Sequence, residues 1–194
     1  YTPTILPLYK SKIPLYVKNT FNPEHKGTCI NFDNKYSNRI ATAISNIKNV
    51  TLIKVFGNYL IGNIGFSSSL FSMFSNKNIN IIMISQSSSE HSIYVVINEK
   101  DYDVAKFYLN QLFENKIKNN EVILKFWNDK SVLSIETNKS ENITKISAII
   151  YPIFLNKKVK IYTQTTSDHN ICVILDRENL NNIQISIHDK IFEV

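Results

Sequence analysis

Only four glycines occur in 194 residues, none after Gly65, and the chain has two cysteines, one tryptophan and two arginines. No Gly-rich phosphate loop, Gly-x-Ser-x-Gly elbow, paired-cysteine motif or His-Glu-x-x-His helix is present. No catalytic residue and no metal ligand set is therefore expected within these residues. Cys29 and Cys172 fit neither a disulfide framework nor a zinc motif, and no basic-then-apolar export signal opens the chain, so a cytoplasmic setting is expected. No apolar run approaches the ~20 residues that span a bilayer, and no membrane partner is expected.

What is present is a foldable composition. Hydrophobic residues at 43% with charged residues at 20% exclude a disordered polyelectrolyte, and the length suits one or two compact modules. The net charge of +6 comes from scattered lysines, and the abundance of isoleucine, asparagine and lysine reflects an A- and T-rich coding bias more than chemistry. Tyr1 begins mid-pattern without an initiator methionine, as expected of a piece of something longer.

The pattern along the chain predicts strands at Leu15 to Lys18 and Thr28 to Phe32, then a polar connector from Asn31 to Arg39 with a boundary near Tyr36. From Val50 a regular order begins. Thr51 to Phe56 reads as a strand, Gly57 to Gly65 as a glycine loop, and Phe66, Leu70, Met73 and Phe74 mark a helix ending near Asn78. Ile79 to Ser85 and His91 to Ile97 read as strands around the polar turn Gln86 to Glu90, and Asp101 to Glu114 as a helix.

The order then recurs: Val132 to Glu136 as strand, Ile143 to Leu155 as helix, Lys158 to Gln164 and Asn170 to Leu175 as strands. Ile84 to Ile93 aligns directly with Tyr162 to Ile171, an internal repeat suited to two small α/β sandwiches. Pro152 is expected to kink or end its helix. The alternation in Leu180 to Ile187 leaves the last element open between helix and strand.

Few residues suggest chemistry. His169 and Cys172, three apart on a strand, point to opposite faces and do not make a metal site. The Asn-x-Ser/Thr triplets at Asn49, Asn138 and Asn142 are a product of the asparagine content. The strands Ile79 to Ser85 and His91 to Ile97 carry one ring, Tyr94, and no Lys or Arg, so nucleic acid is not an expected partner. The free amides of Asn63, Ile64 and Gly65 at a helix start suit a carboxylate, and the side-chain carbonyls of Gln86 or Asn80 suit an ammonium group. A turn that merely satisfies its own backbone is the plainer alternative.

At these residues the sequence resembles the regulatory region of aspartate kinase, with its paired ACT domains. Gly57-Asn-Tyr-Leu-Ile-Gly-Asn-Ile-Gly65 resembles the family's glycine loop, and Ile79 to Ile93, with its Gln-Ser-Ser-Ser-Glu run, resembles its effector hairpin. Tyr1 to Ile5 and Ile13 to Thr28 resemble the last segment of the amino-acid kinase domain. The Lys-Asn-Thr and Gln-Ser-Ser-Ser-Glu wording is most similar to bifunctional aspartokinase/homoserine dehydrogenases.

The resemblance implies an α+β chain: the tail of a kinase domain and linker at 1–36, then two ferredoxin-like βαββαβ ACT modules at 37–118 and 119–194. The family nests these modules, a strand near Ile40 to Ser45 completing the second. It implies an amino-acid effector held by Ile64, Gly65, the strand Asn80, Ile81 and Ile82, and Gln86, with Gln164 in the matching place of the second module. Lysine-sensing members carry aspartate where Ile82 stands, so threonine is expected over lysine. A homodimer through the ACT modules is implied, as are a parent kinase using ATP and Mg and a dehydrogenase domain that follows. No cofactor is expected in this fragment. The second module lacks the glycine expected near Asn142 and Ile143, and the alternative reading is a dimerisation module whose effector site has decayed.

Overall fold

The computed structural model describes residues 5–31, 39–87 and 91–192, and the chain divides into two units, residues 1–38 and 39–194. In the first unit a helix, α1 (Ile5–Ser11), precedes strands β1 (Leu15–Val17) and β2 (Thr28–Ile30), paired antiparallel with Tyr16 opposite Cys29. The turn between them is closed by side chains. Asn19 Oδ1 accepts from the Phe21 amide at 3.0 Å, and His25 Nδ1 accepts from the Gly27 amide at 3.0 Å. The boundary near Tyr36 and most of the polar connector lie outside the described residues.

The second unit runs β3 (Ala43–Phe56), α2 (Phe66–Asn76), β4 (Ile81–Ser87), β5 (Ser92–Asn98), α3 (Tyr102–Leu112), α4 (Glu114–Lys118), β6 (Ile123–Glu136), α5 (Asn142–Asn156), β7 (Thr163–Thr166), β8 (Asn170–Asp176) and α6 (Leu180–Phe192). One sheet holds its strands in the order β4-β5-β3-β6-β8-β7, every neighbouring pair antiparallel.

Two ferredoxin-like βαββαβ folds are nested in this sheet. The second half of β3 opens the first module, which continues through α2, β4, β5 and α3 and closes with the first half of β6. The second half of β6 opens the other module, which continues through α5, β7, β8 and α6 and is completed by the first half of β3. The strand near Ile40 to Ser45 that the resemblance implies is this first half, and β6 runs across the 118/119 division from one module into the other. Both long strands bend midway. Asn49 (φ 57°) and Asp129 (φ 55°) are left-handed, and the register slips on either side of Val50, so each strand carries a β-bulge.

The helices follow their apolar stripes. Phe66, Leu70, Met73 and Phe74 are buried on α2, and Ile146, Ile150 and Phe154 on α5. Both helices end alike: Asn78 and Lys158 are left-handed at φ 53°, and the amides of Ile79 and Val159 donate to Phe74 and Phe154 at 2.9 and 3.0 Å. Repeated sequence therefore produces repeated caps.

Three elements decide between the readings of the sequence or depart from them. Pro152 does not end α5, which runs on to Asn156 because the stripe on either side of it is buried against the second module. Leu180 to Ile187 is helix, with Leu180, Ile183, Ile187 and Ile191 buried and Ile185 on the solvent face, so the alternation was only apparent. β7 begins at Thr163, not Lys158. Val159 and Ile161 pack against the second core, while Tyr162 donates its amide to Ile174 at 2.9 Å just before the ladder starts.

Each module has a core between its helices and its half of the sheet, centred on Ile53, Val95, Leu70 and Leu109 in the first and Leu133, Val173, Ile146 and Ile183 in the second. The alternate strand residues point the other way. Val50, Leu52, Met83, Val96, Val132 and Ile174 meet in a third core that joins the helix-free faces of the two modules. The edge strands β4 and β7 approach each other, and Ser85 Oγ donates to the Gln164 carbonyl at 3.0 Å. This double coverage explains why Val50 to Ile53 are all fully buried.

Candidate functional site

The glycine loop begins where β3 ends. Gly57 has φ 140°, and a Cβ there would lie 2.3 Å from the Glu121 carbonyl oxygen, so the chain can leave the sheet here only as glycine. Asn58–Leu60 makes a single 3-10 turn, held by the Tyr59 amide on the Glu121 carbonyl at 3.1 Å. Gly62 (φ 64°) and Gly65 (φ 93°) then reverse the chain, and Gly65 caps α2, its carbonyl accepting from Ser69 at 3.0 Å. Among the described residues, the amides of Asn63, Ile64 and Gly65 find no backbone acceptor. They lie at the positive end of an eleven-residue helix.

A cavity of about 320 Å3 opens beside this loop, lined by Leu60, Gly62, Asn63, Ile64, Phe66, Ser67, Gln86, His91 and Ile93. Its walls are the loop, the first turn of α2 and the facing ends of β4 and β5, where Gln86 pairs with Ile93. A second cavity of about 490 Å3 lies on the other side of the loop, shares Asn63, Ile64 and Phe66, and adds Gly65 and the α3–α4 junction from Gln111 to Lys116. Ile64 stands between them, 99% exposed.

Among the described residues that line the two cavities, Lys, Arg, Asp and Glu side chains occur in the second, as Glu114 and Lys116. Lys116 donates to Glu121 at 2.8 Å and stands 4.2 Å from the centre of the Tyr59 ring. That hydrogen bond raises Lys116 above the ordinary lysine value, and the Lys116 and Asn119 donors hold Glu121 below the ordinary carboxylate value. The first cavity has no carboxylate among its described lining residues; His91 is its one titratable side chain.

The residues assigned by resemblance are distributed unequally. Ile64 and Gln86 share the first cavity, and Gly65 lines the second. Asn80 is exposed ahead of β4, and Ile81 packs on the first module's core. A register shift between Ile81 and Met83 turns Ile82 to the helix-free face, away from the glycine loop. Gln164 is committed elsewhere: its side-chain oxygen accepts from Tyr151 at 2.8 Å and its carbonyl from Ser85. His91 and Ser67 were not legible as cavity residues, although His91 directly follows the polar turn and Ser67 the glycine loop. No group of three or more His, Cys, Asp or Glu side chains among the described residues could hold a metal, and no described helix is long and apolar enough to cross a membrane.

Residues 53–113 match the ACT domain family. The chain is 28% identical over 192 residues to the bifunctional aspartokinase/homoserine dehydrogenase of Haemophilus influenzae, an alignment covering 97% of this chain and 24% of that protein. The chain thus spans about a quarter of the length of the curated relatives it matches. Among solved structures, the aspartate kinase of Clostridium acetobutylicum superposes with a TM-score of 0.81 at 20% identity, covering all of this chain and 45% of that one. The regulatory subunit of aspartate kinase from Thermus thermophilus superposes with a TM-score of 0.65 at 15% identity, covering 77% of this chain and 98% of that one. Residues 53–113 are thus similar to ACT domains, and along nearly its whole length the chain is similar to bifunctional aspartokinase/homoserine dehydrogenases.

Proposed function

We propose that this region senses a free amino acid, threonine, and regulates an aspartate kinase that phosphorylates L-aspartate with ATP and Mg in the pathway to threonine, lysine and methionine. The observation that carries the reading is the single cavity that brings the Gly62 to Ile64 loop, the start of α2 and Gln86 together. The loop amides and helix terminus suit the effector's carboxylate, and the Gln86 side-chain oxygen suits its ammonium group. Threonine is favoured over lysine because no carboxylate among the described lining residues would balance a second ammonium. Ile82, facing the other side of the sheet, contributes nothing to that choice.

Catalysis in this reading belongs to a kinase domain preceding these residues, with homoserine dehydrogenase following as in the relatives' names. The region acts as a homodimer through its ACT modules, in the cytoplasm. Regulation requires that threonine bind the active and inactive arrangements of the enzyme with different affinity.

The test is calorimetric titration with threonine and, separately, lysine, alongside light scattering. Saturable threonine binding that weakens at least tenfold in Gln86→Ala is expected, with no lysine binding. A dimer that binds neither amino acid would instead support the second reading, an assembly module with a decayed site. That reading is favoured in the second module alone, where Gln164 is bound to Tyr151 and no glycine loop precedes α5.

A further inference from the structure

The internal repeat is kept in the order of elements and abandoned on the helix-free face. In the first module, one rung across the sheet reads Ser85, Tyr94, Lys54, Lys125. The corresponding rung of the second reads Thr165, Cys172, Ser134, Ser45. One rung inward, Val96, Leu52 and Trp127 correspond to Ile174, Val132 and Ile47. Two lysines, a tyrosine and a tryptophan in one copy are thus replaced by two serines, a cysteine and an isoleucine in the other.

The bulky end is filled. The Lys54 ammonium stands 5.0 and 5.1 Å from the Phe56 and Tyr94 ring centres, and Trp127 packs against Tyr162 from the facing module at 6.0 Å. At the other end, Ile82 and Met83 of β4 face the small residues and do not fill the space. A cavity of about 440 Å3 remains there, walled by β4 of one module and β3, β6, β7 and β8 of the other. Packed sheets ordinarily leave few voids larger than a water molecule, and this volume is that of a small-ligand site.

The lining sets the ligand's chemistry. Among the described residues it has no charged side chain; Ile47, Ile82 and Met83 form apolar walls, and Asn46, Thr165 and the Ser134–Cys172 pair, whose thiol donates to the Ser134 hydroxyl at 3.4 Å, supply hydrogen-bonding groups. A charged ligand would lose its hydration there with no counter-charge to replace it. Ile47 and Ile84 are 45% and 43% exposed at its rim, leaving a way in.

We propose that the cavity between the helix-free faces of the two modules is a binding site for a small, uncharged, largely apolar ring compound bearing a hydrogen-bonding group. Such a ligand occupies the space that Trp127 and Tyr94 fill at the opposite end. The site is separate from the glycine-loop cavity and does not depend on the effector reading.

The probe is 5-fluoroindole, followed by fluorine NMR with the intact chain. Expected are saturable one-site binding, no binding of the charged analogue indole-3-acetate, and no competition from threonine. The double variant Ile47→Trp/Cys172→Tyr, which returns the first copy's residues to the second, is expected to weaken binding at least tenfold and raise the melting temperature. In the unsubstituted protein, the probe is expected to slow modification of Cys172 by a thiol reagent several-fold while leaving the exposed Cys29 unaffected. This second measurement does not depend on the variant folding. Absence of saturable binding, equal binding of indole-3-acetate, competition by threonine, or an unprotected Cys172 would each overturn the proposal, as would undiminished binding in a folded double variant.

Discussion

Asn49 and Asp129, the left-handed residues at the bends of the two long strands, share one guanidinium: Arg177 donates through Nη1 to Asn49 Oδ1 at 2.7 Å and reaches Asp129 Oδ1 through Nη2 at 2.6 Å. One side chain from the turn after β8 thereby ties together the points where each strand passes from one module to the other. The groups are partly solvent-exposed, which limits the pair's worth to about 1 kcal/mol. Arg177→Ala is expected to lower the melting temperature by about 2–4 °C, as one kcal/mol does in a protein of this size. Arg177→Lys should recover little of the loss, because a single ammonium cannot serve both partners in the guanidinium's planar geometry. Full recovery by lysine would show that charge alone matters there.

Gly57 and Gly62 make a controlled comparison on the same loop. Both have positive φ, but a Cβ on Gly57 meets the Glu121 carbonyl oxygen at 2.3 Å, whereas none on Gly62 meets any atom within 4 Å. Gly62→Ala should cost about 1 kcal/mol of backbone strain. Gly57→Ala adds a collision between backbone segments and should cost about 3 kcal/mol or more. Denaturant melts of the two variants measure the difference; equal losses would mean that the β3 exit relaxes freely.

The Lys116–Glu121 pair gives this end of the first module a dependence on acid. Glu121 is held below its ordinary value of 4.5, chiefly by its hydrogen bond from Lys116. Its stabilising contribution is therefore present above that value and disappears as the pH falls through the lowered one. Lys116, raised by the same hydrogen bond, acts in the opposite sense: its contribution is present below the ordinary lysine value and lost as the pH rises through the raised one. Glu121→Gln should flatten the acid limb of the stability profile and leave the neutral region nearly parallel to that of the original protein. An unchanged acid limb would assign the dependence to other carboxylates.

The parts of the fold that were legible are those where a period meets one buried face. α2, α3 and β5 could be read from their apolar spacing, and the repeat from the aligned hairpins. The first half of β3 could not, because Ser45 to Asn49 is polar and largely exposed; nor could the first half of β6, whose bulge at Asp129 interrupts the alternation. The same physics divided the site. The glycines and Gln86 announced a loop and a turn, but the register shift that turns Ile82 to the other face leaves no mark in the sequence. At α6, helix and strand readings give different mutational signatures. Ile187→Ala should cost about 2–4 kcal/mol, since Ile187 is fully buried, whereas Ile185→Ala should change stability by less than about 0.5 kcal/mol at 61% exposure. On a strand both would share one face and cost alike.

Ser85 and Gln86 are neighbours on β4 that face different modules. Gln86 reaches the glycine loop, while Ser85 donates across to the Gln164 carbonyl of β7, whose side chain accepts in turn from Tyr151 on α5. β7 is an edge strand of four residues, paired in the sheet only to β8. Removing one hydrogen bond from so short an element should be felt locally before it is felt globally. Ser85→Ala is expected to cost about 1 kcal/mol and to speed amide exchange in Thr163–Thr166 several-fold, with the core of β5 unchanged. Exchange rates in β7 that do not respond would mean that packing of the third core, around Val132 and Ile174, holds the two edges together without the serine.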